Sequence, residues 1–196
     1  MRRFSYLLSL SLTLTFFAST TIQSSLATPC TDSPRTLVPF DFAQINQEMT
    51  DEFAKAWRIA KAGTSEYEGV ILSYLLPDGS YQVKALNSTN EYKKFSFTWD
   101  DRIAAIFHTH PRSGDPRPSL EDMKIADKHN VLMFTLTLQG MYVYDPGTKK
   151  TSTVMYGLDW LNASKWTDEI AMKMASLSPS FASKLVLTGA HELQND

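Results

Sequence analysis

Two histidines one residue apart, His108 and His110, stand directly before Pro111 at the end of an apolar run that begins at Ile103. In an extended strand, residues i and i+2 project to the same side, so both imidazoles leave the strand together. Pro111 ends the hydrogen-bonded ladder just beyond them. Imidazole nitrogens at that step can share one tetrahedral Zn2+, although a pair of ordinary strand-end histidines has the same spacing. Ser119 and Asp122 then stand three positions apart at the start of a helix-compatible stretch. Taken alone they form a variant capping box, worth about 1 kcal/mol to the helix start. The same arrangement aims a carboxylate from the first helical turn toward the histidines. On that second reading Asp122 would complete a His2Asp ligand set with a fourth position for water, the pattern of a catalytic centre rather than a structural one. A water activated there needs a base that is not itself a ligand. Glu66 and Glu68, just ahead of an apolar strand, are the candidates.

The elements that position these groups follow from periodicity. Residues 41–62 place Phe42, Ile45, Met49, Phe53, Trp57 and Ala60 at three- and four-residue intervals, which predicts a helix with Asp41 as its N-cap and Gly63 as its stop. Residues 69–76 are a continuous apolar run closed by Pro77-Asp78-Gly79-Ser80, and residues 81–86 complete a hairpin. Phe95, Phe97 and Trp99 alternate with polar residues, as in a half-buried strand. Residues 103–110 form another strand, 111–118 a proline-containing loop and 119–129 a short helix. Residues 131–144 form a second hairpin, and 151–156 one more strand. The tail is helical in character, its Met and Trp residues being core cover. Strands and helices interleave around one sheet, which makes the class α/β or α+β.

Histidine, a small hydroxyl residue, histidine, proline, then a loop to Arg117-Pro118-Ser119-Leu120-Glu121-Asp122 resembles the signature of the JAMM (MPN-plus, JAB-type) zinc metallopeptidases. In that family a glutamate lies three residues before the small residue that opens an apolar strand, and Glu66-Tyr67-Glu68-Gly69-Val70 is similar, with Glu66 in that place. The resemblance spans residues 67–144 and implies an α/β fold: a single domain with a central mixed β-sheet packed by helices, of the MPN-like (cytidine-deaminase-like) kind. It implies His108, His110 and Asp122 as zinc ligands, Glu66 as general acid/base and Ser119 as the hydroxyl that stabilises a tetrahedral oxyanion. The implied activity is hydrolysis of a peptide or isopeptide amide. A non-catalytic binding module or toxin-linked domain on the same fold is the alternative. Arg112 and Arg117 flank the motif and are weak candidates for gripping a substrate carboxylate, solvated loop charges being the plainer account. His129 and His191 are expected to be surface residues.

Composition excludes other classes. The chain has 196 residues with a formal net charge of −2 and 43% hydrophobic residues, which suits one folded domain. Near-neutral charge without a basic block argues against nucleic acid as a partner. The single cysteine, Cys30, cannot supply the Pro-Cys-x-x-Cys of a zinc deaminase. A barrel amidohydrolase would need about 250 residues. Arg2 and Arg3, the apolar run 6–18 and Ser25-Leu26-Ala27 are the three parts of a secretory signal peptide, expected to be cleaved after Ala27. The run is too short and too rich in hydroxyls for a membrane span. The expected organisation is therefore a signal peptide 1–27, an extended leader 28–40, the metallopeptidase-like domain 41–156 and a helical extension 157–196 packed on it. The mature protein would be periplasmic or secreted and free of the membrane. Its substrate would be a peptide, a protein or a peptidoglycan-like cross-link.

Overall fold

The computed structural model describes residues 35–64, 68–86 and 97–181. Their element order is α1 (Gln47–Ile59), β1 (Val70–Leu75), β2 (Tyr81–Ala85), β3 (Ile103–Thr109), α2 (Leu120–His129), β4 (Leu132–Leu136), β5 (Gly140–Asp145), β6 (Lys150–Tyr156) and α3 (Asp168–Leu177), with short 3-10 turns between. One six-stranded sheet runs in the order β2-β1-β3-β4-β5-β6. Pairing is antiparallel except for β3 with β4, so the sheet is mixed. A parallel pair needs a crossover between its strands, and α2 with the loop before it supplies that crossover.

The alternation of side chains sorts the core into two layers. Ile71, Phe107, Phe134 and Val143 face a layer that holds Phe53, Ala56 and Trp57 of α1 and Met174 of α3. Val70, Leu72, Ile106 and Met133 face the opposite layer, which is closed by Ala126 and Met123 of α2. Every residue of β3 is buried, as expected for a central strand covered on both faces. Residues 108 and 110 share the parity of Ile106, so the sheet carries both imidazoles to the α2 side.

The helix expected over 41–62 is divided. Asp41 caps a 3-10 turn at Phe42–Gln44 by accepting from the Ala43 N–H, Ile45 is extended, and Asn46 caps α1 by accepting from the Met49 N–H at 3.0 Å. Two short polar side chains thus each satisfy local backbone donors, and that competes with one continuous helix. Phe97 and Trp99 lie in irregular chain rather than in a strand, yet both pack on the α2-side core. Phe95, Glu66, Cys30, His191 and the expected signal peptide lie outside the described residues. The end of the expected leader contributes Phe40, fully buried, whose N–H donates to the Ser180 carbonyl at 3.0 Å. Trp160, beyond β6, is also fully buried and donates its indole N–H to the Thr137 carbonyl at 3.1 Å.

Gly69 fixes how closely β1 approaches α1. A Cβ there would stand 2.2 Å from the Ala56 carbonyl oxygen, backbone against backbone. Its N–H donates to Thr109 Oγ1 at 2.8 Å and its carbonyl accepts from the Thr109 N–H at 2.9 Å, which locks the start of β1 to the residue between the two histidines. Gly69→Ala is expected to cost about 3 kcal/mol through overpacking. Thermal unfolding would read this as a drop of roughly 6–12 °C in Tm.

Candidate metal centre

His108, at the buried end of β3, and His110, one step past it, bring their Nε2 atoms to 3.0 Å of each other. Asp122 Oδ2 lies 3.3 Å from His108 Nε2 and 3.5 Å from His110 Nε2. Two imidazole lone pairs this close repel unless a proton or a cation stands between them. The three separations match the edge of a tetrahedron whose centre-to-ligand bonds are 2.0–2.1 Å, which is about 3.3 Å. Among the described residues this trio is a group whose donor atoms all lie within 4.8 Å of one another, and it can hold a metal ion. The donor set, two neutral nitrogens and one carboxylate oxygen, fits a borderline cation.

Asp122 and His110 are each held from behind. The Ser119 N–H donates to Asp122 Oδ2 at 2.7 Å, while Ser119 Oγ accepts from the Asp122 N–H at 3.2 Å. This full capping box fastens the very oxygen that faces both imidazoles. The capping box expected of Ser119 and Asp122 is present, and it leaves Asp122 Oδ2 directed at both imidazoles. The N-terminal turn of α2 also favours an anionic group at Asp122. His110 Nδ1 lies 2.9 Å from the Asp115 carbonyl; with the proton on Nδ1, this bond turns Nε2 toward the cluster as an acceptor. Thr135 Oγ1 donates to the Pro116 carbonyl at 2.5 Å and secures the same loop.

The electrostatics follow from the packing. Burial opposes charge on Asp122, but His108 beside it and hydrogen bonds from His108, His110 and Ser119 outweigh that cost and hold the carboxyl well below the usual range. Burial likewise disfavours the charged form of His108, yet Asp122, Glu68 and a backbone hydrogen bond at Phe134 together raise it above its ordinary 6.5. A proton therefore competes for His108 up to a higher pH than at an ordinary histidine, while Asp122 stays ionised. The affinity of the trio for a divalent metal ion is expected to fall below that raised pKa by about tenfold per pH unit for each proton displaced. Competition with a chromogenic chelator between pH 5.5 and 8 would measure this, and an affinity independent of pH would contradict it.

The cluster opens on one side. The His108 side chain is fully buried, whereas those of His110 and Asp122 retain 11% and 15% exposure. Both line a cleft of about 1190 Å3 together with Glu68, Ser119, Asp115, Arg117, Phe97 and Trp99. Glu68 reaches this cleft because it shares the parity of Val70, which pairs with His108. Extending that register by two residues sets Glu68 opposite His110. Arg112 is turned away: its Nε donates to the Ala62 carbonyl at 2.9 Å, its N–H donates to the Gly63 carbonyl at 2.9 Å, and it is not among the cleft-lining residues. Arg117 lines the cleft but forks onto Asp115 through bonds of 3.0 and 2.8 Å, which holds the Asp115 carboxyl at about 2. His129, expected as a plain surface residue, stacks on Trp99 at 4.1 Å and also lines the cleft. Motif reading missed Thr109 as the acceptor for Gly69 and Asp115 as the carbonyl partner of His110, because backbone partners carry no residue-type signal.

No family model matches the chain, and neither a curated protein nor a solved structure matches it.

Proposed function

We propose that this chain is a zinc-dependent hydrolase of the JAMM type, exported from the cytoplasm, that cleaves a peptide or isopeptide amide bond. The observation that carries the reading is the convergence of His108 Nε2, His110 Nε2 and Asp122 Oδ2 at 3.0, 3.3 and 3.5 Å on the open side of a buried sheet end. The mixed sheet, with α1 on one face and α2 on the other, supports it, as does the order of the motif residues along the chain.

A zinc ion held by these three side chains supplies Lewis acidity toward a water molecule and a carbonyl oxygen. The protein supplies the rest. His110 and Asp122 present their ligand atoms to the cleft, so a substrate amide can enter beside them. A carboxylate ahead of β1 takes the proton from the attacking water and returns it to the leaving amine. Glu66 has this role by resemblance, and Glu68 is the nearby carboxylate that lines the cleft. Ser119 Oγ accepts from the backbone, which leaves its hydroxyl proton to donate to developing oxyanion charge. One such donor is typically worth about 2.7–4 kcal/mol. Ser119→Ala also removes the cap, so its test is a fall in kcat of roughly 10²–10³ with zinc content retained. A variant that loses zinc instead would assign Ser119 to holding the ligand alone. The substrate class is a peptide, a protein or a peptidoglycan-like cross-link. Incubating the zinc-loaded protein with a proteome-derived peptide mixture and with purified peptidoglycan tests it. New amine ends in either support the reading, and a zinc-loaded protein that cleaves neither favours a binding module on the same fold.

A further inference from the structure

Away from the ligand cluster, the cleft has a wall that the metal reading does not use. Asp122, Ile125 and His129 lie along one side of α2 and all line the cleft, with Phe97 and Trp99 on the facing segment. The His129 ring stacks on Trp99 at 4.1 Å with 23° between planes. The Trp99 indole N–H donates to Asp101 Oδ1 at 3.0 Å, which fixes the ring's direction.

What joins these two elements is a residue remote from both in sequence. The Arg35 guanidinium donates to the Asp101 carbonyl at 2.7 Å, to the His129 carbonyl at 3.2 Å and to the Ile103 carbonyl. It also sits 5.0 Å from the centroid of the Trp99 ring, and the Arg35 carbonyl accepts from Asn130 Nδ2 at 2.5 Å. Arg35 itself is not among the cleft-lining residues. A planar fork of five donors can reach several carbonyls and lie against an aromatic face at once, which a lysine cannot do.

We propose that Arg35 is a positioning residue: by clasping segment 97–101 to the end of α2, it sets Trp99 and His129 as an apolar wall that receives a substrate side chain. The occupant is an extended peptide segment. From Asp122 to His129 is seven residues of helix, about 10 Å. That distance equals about three residues of extended chain. The favoured side chain is therefore apolar, about three residues from the amide held at the ligand cluster. Phe97, Trp99 and Ile125 offer it apolar surface, while Glu68 and Glu121 in the same cleft disfavour an acidic one. This inference rests on the hydrolase reading for its peptide, so its test is chosen to be read without turnover.

The experiment uses the full mature chain, zinc-loaded, with uniform 15N labelling, and follows the indole N–H resonances during titration. The probes are N-acetyl-Phe-Gly-Gly-amide and N-acetyl-Asp-Gly-Gly-amide. Trp99→Ala identifies the Trp99 resonance by its disappearance. In the wild type that resonance is expected to shift saturably with the phenylalanine peptide and not with the aspartate peptide. Arg35→Ala is expected to weaken binding of the phenylalanine peptide about tenfold or more, with zinc content unchanged, and to abolish the preference between the probes. Should Arg35→Ala fail to fold, Arg35→Lys carries the test, and partial loss of preference at unchanged zinc content is the expected result. Equal response to both peptides, or wild-type preference in a folded Arg35 variant, overturns the proposal. A protein that binds zinc and discriminates the peptides but cleaves nothing would remove the hydrolase reading and leave this wall standing.

Discussion

His110→Ala is expected to release the metal and abolish cleavage while leaving the fold intact. In the proposed centre the imidazole is one of three protein ligands, and its ring sits at the cleft with 11% exposure, so its removal opens no deep cavity. Structural zinc in zinc-finger peptides, which sets the scale, is held by about 10–16 kcal/mol at neutral pH. One ligand in three then represents roughly 3–5 kcal/mol, or 10²–10⁴ in affinity. Elemental analysis after dialysis against a weak chelator would show wild-type zinc retained and the variant stripped, with unchanged far-ultraviolet circular dichroism. His108→Ala should lose zinc equally, but it also empties a fully buried site beside Val70 and should lower Tm. His129→Ala is the control: it lines the same cleft without belonging to the trio and should keep its zinc. A His110→Ala protein that retained zinc would remove the ligand assignment.

Glu66→Gln is expected to keep the metal and lose turnover by about 10²–10⁴, the usual contribution of a positioned general base. The isosteric amide preserves size and hydrogen bonding but cannot accept the proton of the attacking water. Glu68→Gln is the necessary companion. Glu68 lines the cleft and its charge reaches His108, so its loss should alter the protonation of His108 and move the pH profile more than kcat at its optimum. Steady-state kinetics across pH with both variants, each checked for zinc content, separates the two roles. The reverse outcome, with Glu68→Gln inactive and Glu66→Gln active, would transfer the base to Glu68.

How much of this was legible beforehand depends on the kind of interaction. The strand that carries His108 and leads into His110, the Ser119 cap and the helix behind Asp122 were all readable, because period-two alternation, a proline stop and a capping pair are local signals. The hairpins and β6 followed for the same reason. The break between Asp41 and α1 was not visible, since two competing caps five residues apart sit within one apolar periodicity. Trp99 looked like a strand residue because it alternates with polar neighbours. In the structure it is held by Arg35 and His129, partners far away in the chain. The clasp at Arg35 could not be read at all, because its acceptors are carbonyls and every residue has one. Likewise the need for glycine at position 69 comes from the Ala56 backbone, a contact made only when α1 packs on β1.

The central claim is that one divalent ion is gripped by His108, His110 and Asp122, and X-ray absorption at the zinc edge of the purified wild-type protein, paired with elemental analysis, tests it most directly. About one zinc per chain is expected, in a shell of nitrogen and oxygen donors at about 2.0–2.2 Å that contains two imidazoles and no sulfur. A protein without zinc, or zinc bound through fewer than two imidazoles, would contradict the account.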